Sequence, residues 1–138
     1  MKRLSAMPSI KFGYLVGFLL LVSLACNFPI ANPRIDNVYL AKDFEGKQPV
    51  QIFTPDEIIF GIVELVDSPM DTNIRAVWIA SDTDAIESNF QIYEAEIVTS
   101  SGIVHFELSN DLPWPKGTYR LDIYLNGELE RILEFDVQ

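Results

Sequence analysis

The sequence predicts an all-β protein, a β-sandwich of seven to eight strands that follows an N-terminal export segment. Downstream of residue 34, apolar and polar residues alternate in short runs with a period of two. These runs recur about every ten residues, and Pro, Gly, Asn and Asp lie between them. No stretch there keeps apolar residues at helical spacing for more than one turn. Short strands separated by turn residues at this spacing are typical of a sandwich.

The first thirty residues have the layout of a secretory signal. Basic residues within the first eleven positions lead into an apolar run from Phe12 to Leu24, and the small residue Ala25 lies before Cys26. This run is shorter than the roughly 20 apolar residues that a membrane-spanning helix needs, and Asn27 interrupts its extension. We therefore predict a cleavable signal/anchor helix in residues 1–25, with a permanent transmembrane helix as the alternative.

Cys26 is the predicted point of attachment to the membrane. The stretch from Val22 to Cys26 resembles the lipobox of bacterial lipoproteins, in which the cysteine is acylated and becomes the first residue after cleavage. Ser23 stands where that family usually has Leu, so a plain secreted protein is also open. Cys26 is the chain's one cysteine, and acylation would remove an unpaired thiol. The resemblance implies a lipoprotein anchored through Cys26, and residues 26–34 are expected to form an extended tether.

Residues 35–138 form the predicted sandwich domain. Its strands are predicted at residues 35–40, 50–53, 58–66, 74–80, 90–98, 103–108, 118–125 and 129–137. The run 58–66 is apolar on both faces except at Glu64, which predicts a central, covered strand; a strand beside a binding surface is the alternative. In the run 74–80, Trp78 shares its face with small residues, so its ring is expected to fill the middle of the sandwich.

The last two strands form the clearest hairpin. Apolar residues occupy the odd-numbered positions of both 118–125 and 129–137, except at Arg131, and these positions are expected to face the core. Residues paired across the strands must then share parity, so the loop at Asn126-Gly127 is expected to have an odd number of residues. A type I turn with a bulge at Gly127 fits this better than the two-residue turn that is usual for Asn-Gly.

The loop before the penultimate strand carries a second resemblance. Pro115-Lys116-Gly117-Thr118-Tyr119 is similar to the Pro-x-Gly-x-Tyr run of many bacterial immunoglobulin-like and fibronectin-like domains, and Trp78 is similar to their buried Trp. The resemblance implies an immunoglobulin-like Greek-key sandwich in an uncharacterised envelope lipoprotein. The paired cysteines of antibody domains are absent, which excludes those relatives. The resemblance implies little about function.

The charge of the predicted mature part excludes some functions. Seven basic and all twenty acidic residues lie after Asn32, a formal charge of −13. So acidic a body is repelled by nucleic acids and by anionic lipid head groups. Nucleic-acid binding is therefore not expected, and any contact with the membrane is assigned to the anchor.

Candidate sites for chemistry are few. His105 is the chain's one histidine and is expected to lie on a strand surface; no motif places Ser and Asp beside it, so no catalytic activity and no cofactor are predicted. Asp82, Asp84 and Glu87 place oxygen ligands close together in one loop and form a calcium candidate, with a solvated loop tip as the alternative. A possible sugar- or peptide-binding surface comprises Trp114, Tyr93 and Tyr124.

These observations predict an exported, membrane-anchored module on the extracytoplasmic side of the cell envelope that binds a protein partner. A structural or accessory subunit of an envelope complex is the alternative, and a glycan- or calcium-binding domain is the second. An exposed apolar patch or an unpaired edge strand would favour the binding module. A uniformly charged surface with protected edges would favour the accessory subunit.

Overall fold

The computed structural model describes residues 31–138, which form one compact unit, Ala31–Gln138. The predicted signal segment, the alternative transmembrane helix, Cys26 and the first part of the tether lie outside the described residues. Within residues 31–138 there is no helix with the length and apolarity needed to cross a membrane.

All eight predicted strands are present, with bounds close to the predicted ones. They are β1 Arg34–Ala41, β2 Ile52–Phe53, β3 Ile59–Val66, β4 Thr72–Thr83, β5 Phe90–Thr99, β6 Ile103–Leu108, β7 Gly117–Leu125 and β8 Glu128–Val137. The largest difference is at β4, which extends beyond the predicted 74–80 at both ends. β2 is shorter than predicted, at two residues, because Pro49 and Pro55 bracket it, and proline cannot donate a ladder hydrogen bond.

The strands form two sheets, in the orders β1-β3-β6 and β2-β8-β7-β4-β5. The hairpins β4–β5 and β7–β8 join neighbours in the larger sheet, and every other connection between the described strands crosses from one sheet to the other. A single core lies between the sheets because the apolar alternation of each strand faces the opposite sheet. The predicted all-β sandwich is thus confirmed.

Trp78 occupies the middle of the core, as its position among small residues predicted. Its side chain is fully buried and packs across β3 at Gly61, where an added Cβ would lie 3.4 Å from the indole ring and 2.7 Å from Leu121. Phe135 meets the Trp78 ring edge to face and stacks on Tyr119. A large ring in one sheet is therefore accommodated by a glycine in the other.

The β7–β8 hairpin differs from its prediction. Leu125 pairs with Glu128, so the connection is the two-residue turn Asn126-Gly127, with φ values of 48° and 86°. This is the left-handed conformation that Asn and Gly adopt most readily. The bulge lies instead within β8, where Glu130 is the extra residue between the pairs of Ile123 and Tyr124. The expectation of a bulge at Gly127 was wrong because a bulge inside the strand restores the same parity.

Because of the bulge at Glu130, the side chains before it point to the opposite face of the sheet from the one that the alternation predicts. Leu129 pairs with Tyr124 on the outer face and is 48% exposed, so its predicted core position is wrong. Arg131 keeps the inward parity, and its guanidinium reaches the neighbouring sheet, where it donates to the Ile35 carbonyl oxygen at 3.2 Å. Arg131 therefore closes one end of the gap between the two sheets.

The β1–β2 loop covers the outer face of the smaller sheet. Gly46 lies directly over Ile62 of β3, whose side chain is 1% exposed although it points away from the core. The Asp43 carboxylate accepts the backbone N–H groups of Lys47 and Gln48 at 2.9 and 2.8 Å; these bonds, the Lys47 amide first, hold the pKa of Asp43 below its usual value of 3.8. β3 is therefore central and covered, as its two apolar faces predicted.

Candidate functional site

The predicted calcium ligands are not assembled. Asp82 belongs to β4 and pairs with Thr118 of β7, and the N–H of Asp84 donates to the Lys116 carbonyl at 3.1 Å. The segment is thus tied to the start of β7 instead of curving around an ion. Across residues 31–138 no three His, Cys, Asp or Glu side chains are grouped to hold a metal ion, so the site predicted from Asp82, Asp84 and Glu87 is not formed.

The three aromatic residues proposed as a binding surface do not share a face. Tyr93 and Trp114 line a cleft of about 550 Å³ between the edges of β5 and β6, where Trp114 is only 7% exposed and Tyr93 is 50% exposed. Tyr124 lies on the outer face of the larger sheet, with the Arg75 guanidinium 3.9 Å above its ring. The structure therefore brings Tyr93 and Trp114 together and places Tyr124 apart from them.

His105 lies on the outer face of the smaller sheet, where it is half-buried under the covering loop. Its ring stacks on Phe44 with the centroids 4.3 Å apart, and Phe44 also meets Phe60 edge to face. The ring therefore contributes to holding the β1–β2 loop against the sheet, a contact that a strand-surface histidine was not expected to make.

Among the described strands, β5 is the unpaired edge strand at one end of the larger sheet, and at the other end β8 is open along most of its second side. One side of β8 pairs with β7, but on the other side β2 pairs with it only at Asp136 and Val137. Along residues 128–135 no strand within the described part of the chain lies against this second side, which we call the β8 edge. An unpaired edge exposes a row of backbone donors and acceptors to any chain that approaches.

A groove runs beside the β8 edge. It has a volume of about 860 Å³ and opens between β1 and β8, with the segment that leads into β2 at one end. Its apolar lining comes from both sheets and from the segment before β2, and it includes Val38, Leu40, Val50, Leu133 and Phe135. Glu134 and Asp136 add negative charge, and none of the lining residues is basic.

Side-chain pairs cover part of the outer face of the larger sheet on β4, β5 and β7. Arg75 lies over Tyr124 and contacts Glu94 at 3.4 Å, and Arg120 donates to the Asp122 carboxylate at 3.1 Å. Beneath these pairs, outward-facing side chains such as Val77 are buried. The residues of these pairs lie on β4, β5 and β7, so the pairs do not cover β8.

On β8 the outer face exposes apolar side chains. Leu129 is 48% exposed and Ile132 is 55% exposed, and Ile52 on the short β2 is 53% exposed. Leu129 and Ile132 lie on β8 itself, and Ile52 also lines the groove. The edge therefore combines unpaired backbone with an apolar margin.

This site was not predicted from the sequence. In the alternating pattern of β8, Ile132 occupies one of the predicted outward positions and does not stand out. The bulge at Glu130 places Leu129 beside Ile132, and the strongest sign of that bulge in the sequence is Arg131, which interrupts the apolar row. The short β2 was the available clue, because Pro49 and Pro55 leave too few residues between them to cover the ten residues of β8.

Comparison with known proteins supports the fold. Neither a family model nor a curated protein sequence matches the chain. Among solved structures, an immunoglobulin-like protein from Pseudomonas aeruginosa is similar at 15% identity with a TM-score of 0.55, over 80% of this chain and 100% of that one. The domain has an immunoglobulin-like fold.

A β-glucosidase from Listeria innocua, in complex with glucose, is similar at 13% identity with a TM-score of 0.47, over 77% of this chain and 16% of that one. A likeness this low carries no argument about activity. The immunoglobulin-like fold serves many unrelated functions, so the function has to be argued from the β8 edge.

Proposed function

We propose that this chain is an exported binding module without catalytic activity, which its N-terminal segment holds on the extracytoplasmic side of a membrane. The module recruits a protein partner at the β8 edge. The signal-like segment before Cys26 supports the location, and the open side of β8 supports the binding role. The lipid on Cys26 and the site in the cell envelope are part of the same proposal.

One observation carries the binding role. β8 is ten residues long, but only Asp136 and Val137 pair with a strand on its outer side within residues 31–138. Soluble proteins usually protect an edge of this length with charge, a bulge or a covering loop. Here the bulge at Glu130 and the exposed Glu128, Glu130 and Glu134 protect part of the edge, but among the described residues the backbone from Ile132 to Phe135 stays regular and unpaired on this side.

The accessory-subunit alternative requires protected edges and an evenly charged surface. The apolar margin formed by Leu129, Ile132 and Ile52 favours a surface that is covered in a complex. For a glycan or calcium site, the aromatic residues and the acidic residues would each need to converge, and they lie apart. The binding module is therefore the better supported function.

Site-specific photocrosslinking in the cells that make the protein tests this proposal. A photoreactive phenylalanine analogue replaces Ile132 in the full chain, and a matched variant carries it at Met70, which is 84% exposed in the turn between β3 and β4. The proposal predicts a discrete adduct with one protein from position 132 and none from position 70. Equal adducts from both positions, or none from position 132, would refute it.

A further inference from the structure

The backbone of β8 determines which groups a partner strand would meet. The N–H groups of Asp136 and Gln138 donate to Gln51 and Phe53 at 3.0 Å, so these donors point toward β2. Backbone groups alternate along a strand, and the N–H and C=O groups of Ile132 and Glu134 therefore point to the same side. No strand among residues 31–138 pairs with them there.

The segment before β2 does not run alongside β8. The N–H of Val50 donates to the Leu40 carbonyl of β1 at 3.0 Å, and Pro49 forms a bridge with Ala41. The segment thus crosses from the smaller sheet to the larger one and reaches β8 only at its last residues. The line that β2 would follow beside Ile132 and Glu134 stays open, and a stretch of about four residues at about 3.3 Å each fits there.

Side chains on such a strand would alternate between two environments. One set would point between the sheets, into the groove lined by Val38, Leu40, Leu133 and Phe135, which favours apolar residues. The other set would point to the outer face beside Glu134, which is exposed. Glu128 and Glu130 lie further along the same strand, and both are exposed.

The charge around the edge selects against acidic partners. Residues 31–138 carry a formal charge of −13, and the groove contains two acids and no base. A second copy of the chain, paired through its own β8, would bring Glu128, Glu130 and Glu134 of both copies together. Like charges opposite each other destabilise a strand pair, so self-association along this edge is disfavoured.

We infer that the partner docks through an extended peptide segment in which apolar residues alternate with lysine or arginine. The segment adds to β8 as a strand, with its backbone paired to Ile132 and Glu134, its apolar residues in the groove and its cationic residues near Glu134. This inference rests on the proposed function and adds the chemical class of the partner segment.

Synthetic nine-residue peptides test the inference against the full chain in mild detergent. The probe alternates Lys and Val; a second peptide alternates Glu and Val; a third has the Lys and Val sequence with N-methyl groups on alternate backbone amides, which keeps charge and side chains but blocks strand pairing. Affinity is measured by calorimetry, and amide hydrogen exchange locates the contact. The expected result is binding of the first peptide alone, with slower exchange at Ile132 and Glu134.

Two variants localise the contact. Glu134→Lys is expected to weaken binding of the Lys and Val peptide about tenfold. The matched control Glu87→Lys, in the loop between β4 and β5, reverses a charge in the same way and is expected to leave the affinity within about twofold. Ile132→Pro removes the outward N–H at an edge position, where proline is tolerated, and is expected to abolish binding. A melting curve for each variant verifies that it is folded.

The outcomes separate this inference from the proposed function. Equal binding of the N-methylated peptide, or slower exchange on β5 instead of β8, would overturn strand addition at the β8 edge. Preference for the Glu and Val peptide would overturn the cationic partner while the edge remained the docking site. A specific crosslink from position 132 together with no binding of any peptide would refute the partner class alone.

Discussion

Tyr119→Phe is a sharp test of how the fold is held at the start of β7. The Tyr119 side chain is 1% exposed, and its hydroxyl donates to the Pro115 carbonyl at 2.5 Å. This bond ties the Pro115–Tyr119 run into a corner like that of immunoglobulin domains. Removing the hydroxyl leaves a partly buried acceptor unpaired, and we expect the free energy of unfolding to fall by about 1–2 kcal/mol at neutral pH.

The stability that Tyr119 contributes is expected to depend on pH. Burial, and next the negative charge of Asp84, raise the pKa of Tyr119 from 10.0 to about 12, which corresponds to roughly 3 kcal/mol of preference for the neutral phenol. The folded state holds the proton more tightly than the unfolded state. The stabilisation is therefore fully present below pH 10 and is lost as the pH rises through 12.

Urea unfolding of the full chain in mild detergent, at pH 8, 10 and 11, measures both effects. At pH 8 the wild type is expected to be more stable than Tyr119→Phe by about 1–2 kcal/mol, and near pH 11 the difference is expected to approach zero. Other ionising groups occur in both proteins and cancel in the comparison. The control Tyr93→Phe, at a half-exposed residue, should change stability by less than about 0.5 kcal/mol.

A difference between wild type and Tyr119→Phe that stays constant from pH 8 to 11 would refute the reasoning, because it would mean that Tyr119 ionises alike in the folded and unfolded states. A loss at pH 8 no larger than that of Tyr93→Phe would show that the Pro115 bond does not stabilise the corner.

The remaining predictions concern two glycines and one ion. Gly46→Ala should cost about 1–3 kcal/mol in urea unfolding, because φ is +71° and the new Cβ would lie 2.5 Å from the Ile62 side chain; an unchanged midpoint would contradict the covering loop. Gly117→Ala should cost more, about 3 kcal/mol or above, because its Cβ would overlap the backbone oxygen of Asp82 at φ +144°, and a smaller loss than for Gly46→Ala would contradict this order. Calcium at millimolar concentration should leave the melting temperature unchanged, and a rise that a chelator reverses would support a calcium site at Asp82, Asp84 and Glu87.

The strands were predictable because each has its own alternation of apolar and polar residues. Trp78 was placed correctly since its partners Ala76 and Ala80 leave room for one large ring. The apolar pattern of residues 59–66 was also sufficient to predict a central strand, because a strand that is apolar on both faces has to be covered on both. These are local signals, and the tertiary structure agrees with them.

Other features depend on contacts between distant residues. The covering loop brings Phe44 onto His105 across 61 positions of the chain, and no periodicity predicts such a contact. The bulge at Glu130 and a bulge at Gly127 satisfy the same parity, so the pattern alone could not choose between them. Arg131 looked like an interruption because its partner, the Ile35 carbonyl, lies on another sheet.

Amide hydrogen exchange of the free full chain tests the open β8 edge most directly. The N–H groups of Ile132 and Glu134 point away from β7, whereas those of Leu133 and Phe135 point toward it. The account predicts fast exchange at residues 132 and 134 and slow exchange at residues 133 and 135. Equal protection at all four positions would mean that the edge is already occupied, and would contradict its assignment as the docking site.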